Sequence, residues 1–237
     1  MGKKYFTLKV ISALAILITT VLFLYLYDMS KNVEKEISAN FADKLLNDLE
    51  HEEDLLKNIG LTNAIFLADK QEIKDSLIKN DRSIAISKFN QMIKLFKQNT
   101  RIDKIKIHIH TNELTSFVRS WKLDKFGDDL SGFRKSIIHV QKEHVPFFGF
   151  EVGRVGLTLR SIVPVKDGKN YLGSLEFIQD FNRVPKNFKR KGNHHLLLID
   201  EAYLKIATYL KDSPKIGKYK LSTNAFNKEF FRSSTIS

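Results

Sequence analysis

The chain has 237 residues, 43% apolar and 28% charged, a balance found in folded proteins that excludes wholesale disorder. It contains no cysteine, which removes disulfides, thiolate chemistry and cysteine-ligated zinc, so packing must hold the fold. The net charge of +12 raises nucleic acid as a partner, but lysines alternate with carboxylates and the longest basic cluster, 186–191, holds one aromatic, Phe188. Nucleic-acid binding is therefore set aside.

Residues 10–27, VISALAILITTVLFLYLY, carry no charge, Gly or Pro. A helix rising ~1.5 Å per residue over this length nearly crosses a hydrocarbon core of ~30 Å. Phe6 and Leu8 extend the run, Lys9 can snorkel, and Tyr25 and Tyr27 suit the far interface. Lys3 and Lys4 precede it, so the positive-inside bias predicts a cytoplasmic N-terminus and an outside location for everything after Asp28. LYDMSKN offers no small-x-small cleavage site, which favours a retained single-pass anchor over a signal peptide.

Residues 30–59 lack Pro and Gly, and Val33, Ile37, Phe41, Leu45 and Leu49 recur every four residues. This spacing predicts a long amphipathic helix with Gly60 as its C-cap, its stripe buried in its own domain or against a second copy. Shorter helices are expected over 62–79 and 82–99. The period then changes: KIKIHIH at 104–110 alternates strictly and places Ile105, Ile107 and Ile109 on a buried face. A helix over 131–143 precedes strands at 147–152, 155–165 and 171–178, the last two joined by a hairpin turn centred on Asp167-Gly168. A strand at 195–199 and a helix at 201–209 begin a smaller unit after the basic connector. The fold class is α+β, with helices on one side of an antiparallel sheet.

Chemistry-bearing residues concentrate in 117–178. The alternation of 155–165 puts Arg154, Gly156, Thr158, Arg160 and Ile162 on one face. Guanidinium forks bind carboxylates through paired hydrogen bonds. Arg119, Lys122 and Arg134 could add donors, while Asp128, Asp129, Glu151 and Glu176 could balance them or receive a ligand's ammonium group. Taken singly, such residues are more often ion pairs on a solvated face. Trp121, with Gly127, Gly149 and Gly153 nearby, serves either as a pocket wall or as an ordinary core aromatic. His108 and His110 share the polar face of one strand; with no third ligand in the sequence nearby they read as solvent-facing, as do His194 and His195, so no metal is expected. G-x-S-x-G, phosphate-cradling loops and H-E-x-x-H are missing, so an enzyme is not expected.

RSWKLDKFGDDLSGFRKS, GFEVGRVGLTLRSIVPV and YLGSLEFI resemble the double Cache (dCache_3-type) sensory domains of bacterial methyl-accepting chemotaxis receptors. The resemblance implies a membrane-distal PAS-like sheet holding the ligand, which the guanidiniums and carboxylates suggest is small and anionic or amino-acid-like, a smaller membrane-proximal module, and a homodimer formed along the long helix. It also implies the bacterial inner membrane, with the sensory part periplasmic, and no cofactor. By position, Arg119, Trp121, Lys122, Asp129, Arg134, Glu151, Arg154 and Arg160 become the ligand-site candidates. The expected division is 1–27 stub and membrane helix, 28–185 long helix and distal Cache domain, and 186–237 an incomplete second Cache-like module. On this reading the chain is a receptor cut short before its second membrane helix and signalling domain. The sensor region of a histidine kinase or diguanylate cyclase, or a non-signalling envelope remnant, is the alternative.

Overall fold

The computed structural model describes residues 2–99, 105–179, 181 and 183–222. Lys104, the stretch 223–237 and the side chains of Lys3, Lys4 and Leu8, to which the sequence assigns parts, lie outside that description. The chain forms two compact units, Met1–His51 and Glu52–Ser237.

The first unit is helical and belongs to α1 (Gly2–Ala68), the one helix among the described residues long and apolar enough to cross a membrane. Its large side chains from Val10 to Tyr27 are all exposed. Val33, Ile37 and Phe41 are exposed too, so this half of the amphipathic stripe is not covered by any of the described residues.

In the second unit α1 continues past Gly60, which corrects the expected C-cap. A Cβ at Gly60 would lie 2.1 Å from Ser161 Oγ and 2.3 Å from Gln179 Oε1, so the glycine lets the helix press onto the sheet. The helix ends at Ala68, and Lys70 is extended (φ −65°, ψ 132°) ahead of α2 (Gln71–Ile78). The single helix expected over 62–79 is thus broken, which lets Leu67 and Ile73 both reach one core. Asp81 Oδ1 accepts the Ser83 backbone N–H at 2.9 Å at the start of α3 (Arg82–Asn99).

The main sheet has five antiparallel strands in the order β2-β1-β5-β4-β3: β1 (Lys106–Thr111), β2 (Ser116–Arg119), β3 (Phe147–Gly153), β4 (Gly156–Asp167) and β5 (Asn170–Gln179). Strand β2 was not foreseen, being only four residues long. One face carries Ile107, Ile109, Val163, Val165, Leu175 and Phe177, packed against Ala64, Leu67, Ala68, Ile73, Ala85 and Phe89 of the three helices. Each large side chain buried there stabilises the fold by roughly 1.5–3 kcal/mol. The opposite face is covered by α4 (Lys135–Glu143) and the preceding segment, over a smaller cluster of Leu114, Leu130, Ile137, Val140 and Ile162. Helices therefore lie on both faces, not one.

Arg82 ties the covering segment to α3. Its Nε donates to Phe117 O (2.8 Å), its Nη2 to Leu123 O (2.6 Å), and its guanidinium stacks 3.5 Å from the Phe126 ring centre.

Beyond the sheet, α5 (Arg183–Arg190) replaces the expected connector and is joined to α1 by Asn187 Nδ2 donating to Glu52 Oε1 at 2.7 Å. A small sheet follows in the order β6-β8-β7, from β6 (Leu198–Asp200), β7 (Lys215–Ile216) and β8 (Tyr219–Leu221). The expected helix over 201–209 is instead two short 3₁₀ turns, Glu201–Lys205 and Thr208–Leu210. Ile199, Ala207 and Leu210 pack on Val152 and Leu157 of the β3–β4 hairpin, giving this module its only apolar cluster among the described residues.

Gly173 lies in the central strand with φ +153°, and a Cβ there would stand 2.1 Å from the backbone oxygen of His110. Backbone cannot give way as a side chain tip can, so Gly173→Ala is expected to cost about 2–3 kcal/mol. Gly132→Ala, in open space, is expected to stay within about 0.5 kcal/mol. Thermal melts of the two variants compare these values; equal melting temperatures would contradict the strand placement.

Candidate functional site

The register of the sheet decides which polar side chains meet. His108 stands opposite Glu176, and His110 opposite Ser174, on neighbouring β1 and β5. On β5's other side Glu176 faces Ile162 of β4, while Arg160, two residues earlier on β4, points to the same face. Glu151 of β3 lies one pair further on, and Arg134 reaches down from the N-cap of α4. The result is a polar cluster at the centre of the second face.

Its hub is the Glu176 carboxylate, 0% exposed. Glu176 Oε1 accepts from Arg134 Nη2 at 2.8 Å and from Arg160 Nη1. Glu151 Oε2 lies 2.7 Å from Arg134 Nε and 3.1 Å from Arg160 Nε, ion pairs without hydrogen-bond alignment. Its other oxygen accepts from Ser136 Oγ at 2.9 Å. Two guanidiniums and two carboxylates thus form a charge-neutral quartet. Burial pushes Glu176 up, but Arg134, Arg160, His108 and His110 outweigh it and hold the carboxyl well below its usual range. For Arg134, burial is likewise outweighed by the Glu176 and Glu151 carboxylates, which leave it raised.

The histidines correct an expectation. His108 and His110 are 2% and 0% exposed, not solvent-facing. The strict alternation of 104–110 assigned them to water because one covered face was assumed; α4 and the covering segment bury the second face as well. His108 Nδ1 and His110 Nε2 are 2.9 Å apart, and their outer nitrogens reach Ser116 Oγ (2.8 Å) and Ser174 Oγ (2.9 Å). Burial, with the mutual repulsion of the two rings for His108, pushes both imidazoles down and keeps them neutral.

The other candidates are spread around this centre. Arg119 is buried and locked to Asp128 by two hydrogen bonds of 2.6 and 2.8 Å, which hold the Asp128 carboxyl below its usual range. Trp121 is 42% exposed and meets His108 edge-on at 5.7 Å between ring centres. Lys122 is exposed, and Asp129 is exposed with Oδ1 accepting the Ser131 N–H at 2.8 Å. Arg154 does not lie on the β4 face with Arg160: Gly153 pairs with Gly156, which puts Arg154 in the exposed hairpin turn. The expected break between the strands, at 153–154, lies one residue before the observed turn at 154–155, so Arg154 was counted with the face of the following strand. Of the expected residues, the fold brings Arg134, Glu151 and Arg160 together, with Glu176 as their centre. A lone carboxylate inside the apolar run YLGSLEFI was the sequence signal for that centre.

Two predictions follow from the charges. Glu176→Gln leaves two buried guanidiniums short of a partner and is expected to cost about 3–5 kcal/mol, seen as a large fall in melting temperature. Asp129→Asn, at the surface, should cost less than about 1 kcal/mol. The histidines set a pH dependence. The unfolded chain takes up protons near pH ~6.5 that the folded, neutral rings refuse, so their stability contribution is present above that value and lost as pH falls below it. The low Glu176 carboxyl acts in the same direction at more acid pH. Melting temperature should drop between about pH 7 and pH 5, and His108→Gln/His110→Gln should flatten that slope; an unchanged slope would contradict the neutral pair.

Several solved sensor domains align with part of the chain. The E. coli DcuS sensor domain aligns with 20% identity and a TM-score of 0.45 over 58% of this chain and 97% of that one. The V. cholerae histidine kinase DctB sensor domain gives 15%, 0.49, 67% and 60% in the same order, and the ligand-binding domain of the Campylobacter jejuni chemoreceptor Tlp3, solved with L-valine, 15%, 0.46, 66% and 63%. Among curated proteins no sequence match was found. Residues 23–198 match the family dCache_3, described as the double sensory domain of two-component sensor kinase. With most of its length inside that match, the chain belongs to the dCache_3 family of double sensory domains.

Proposed function

We propose that this chain is the extracytoplasmic ligand-sensing region of an inner-membrane receptor, with the N-terminus cytoplasmic and the residues after α1's apolar stretch outside. The observation that supports the reading is the buried, charge-neutral quartet of Arg134, Glu151, Arg160 and Glu176 beneath α4. A simple anion would have to displace a glutamate and leave it buried without a counter-charge, which is costly. A zwitterion exchanges partner for partner, its carboxylate taking the guanidiniums and its ammonium the carboxylates. An amino-acid-like ligand therefore fits better than a plain anion. Glu151, whose side chain is 18% exposed, is the member nearest solvent.

Ligand exchange at the quartet would shift α4, whose N-cap is Arg134, against the sheet. The exposed Val33, Ile37 and Phe41 stripe of α1 is the proposed seam of a homodimer that carries the shift towards the membrane. Chemotaxis is the output that the sequence motifs suggest. The family's description favours a two-component kinase as the second reading.

The test is a thermal-shift panel of L-amino acids, carboxylates and amines on the full chain in detergent, followed through Trp121 fluorescence. At least one amino acid is expected to raise the melting temperature by a few degrees. Arg160→Lys, which keeps charge but loses the fork, should weaken that ligand at least tenfold by rough estimate, while Arg154→Ala should leave it unchanged. A folded sample stabilised by nothing in the panel overturns the reading, as does a ligand indifferent to Arg160→Lys.

A further inference from the structure

We propose that His108, His110 and Glu176 form a binding site for a first-row divalent transition-metal ion of the Zn²⁺ class, built into the second face of the sheet. Three atoms converge there: His108 Nδ1, His110 Nε2 and Glu176 Oε2, separated by 2.9, 3.4 and 3.5 Å. Ligands bound to one tetrahedral Zn²⁺ at ~2.0–2.2 Å stand about 3.3 Å apart, so a single ion placed just off this triangle reaches all three without moving the backbone. Two imidazoles with one carboxylate select Zn²⁺, Ni²⁺, Co²⁺ or Cu²⁺ over Ca²⁺ and Mg²⁺, which take oxygen ligands.

The outer contacts aim these atoms. Ser116 and Ser174 hold the far nitrogens of the two rings, the hydrogen-bonded support that metal-bound histidines ordinarily have. Arg134 and Arg160 take Glu176 Oε1 and leave Oε2 turned towards the rings. That second oxygen is fully buried and has only the two ring nitrogens, 3.4 and 3.5 Å away and without hydrogen-bond alignment, as neighbours of that kind. With no ion, two ring nitrogens and a carboxylate oxygen share one proton, the one between His108 Nδ1 and His110 Nε2. A buried acceptor left in this way is costly, and a cation satisfies it. The proton balance closes internally: on coordination the shared proton moves to the outer nitrogen of the ring that held it, and both rings then donate to their serines. Coordination takes the imidazoles neutral and the carboxyl ionised, so binding should weaken as pH falls. Three protein ligands leave a fourth position for water or an oxygen of another ligand.

This site shares Glu176 with the quartet but needs no organic ligand, and its test omits organic ligands so that the two readings fail separately. The untagged full chain in detergent, stripped with EDTA and dialysed, is titrated with Zn²⁺ and Co²⁺. One equivalent of either should bind with a dissociation constant below about 1 µM. Co²⁺ should give the strong visible absorption of a four-coordinate site and quench Trp121, the chain's one tryptophan, whose ring lies 5.7 Å from that of His108. His110→Gln should weaken binding at least about tenfold. Should that variant fail to fold, X-ray absorption on the Zn²⁺-loaded wild type decides, with two imidazoles at ~2.0 Å expected. A folded, stripped chain that binds neither ion below about 10 µM overturns the proposal, as does a spectrum showing fewer than two imidazoles.

Discussion

The Glu176 carboxylate is the constraint on which the second face of the sheet depends. A buried ion of this size loses several kcal/mol of hydration unless charge and hydrogen bonds surround it. The chain meets that demand from separate elements: Arg160 from β4 and Arg134 from the start of α4, with the His108 and His110 rings of β1 alongside. Each partner is thereby held in one place. The start of α4 has no side-chain cap of its own, and Arg134's two ion pairs join the Ser136–Glu151 hydrogen bond in fixing it over the sheet.

The two faces of the sheet divide the work. The helical side is apolar and close-packed, with Phe89, Ile107, Leu175 and Phe177 essentially without solvent contact. Burial there supplies stability in increments of roughly 1.5–3 kcal/mol per side chain. The α4 side spends part of its area on charged groups, which contribute little net stability but specify geometry. A domain that must respond to a small molecule needs such a face, since dispersion alone gives little directional preference.

Much of this was legible in the residues. KIKIHIH marked a strand and assigned its isoleucines to the core, and the three strands after residue 146 were placed within one or two residues. Arg134, Glu151 and Arg160 were recognisable because forks and carboxylates recur there among glycines. What failed had physical causes. Gly60 reads as a helix stop by local propensity, but a close helix–sheet approach also demands glycine, and the tertiary contact won. The histidines looked solvated because period-two alternation tells which residues share a face, not whether that face is covered. Arg154 was misplaced because the turn sits one residue later than the expected break, which takes it off the strand and into the turn.

Arg82 gives the segment above the polar face a property of its own. Its guanidinium holds two carbonyls, of Phe117 and Leu123, and the Phe126 ring at once. Hydrogen bonds weaken steeply with misalignment, so the fork cannot lengthen gradually to follow a drifting loop. One side chain therefore joins the segment to α3 at three points, and removing it would leave two carbonyls and a ring without their partner at once.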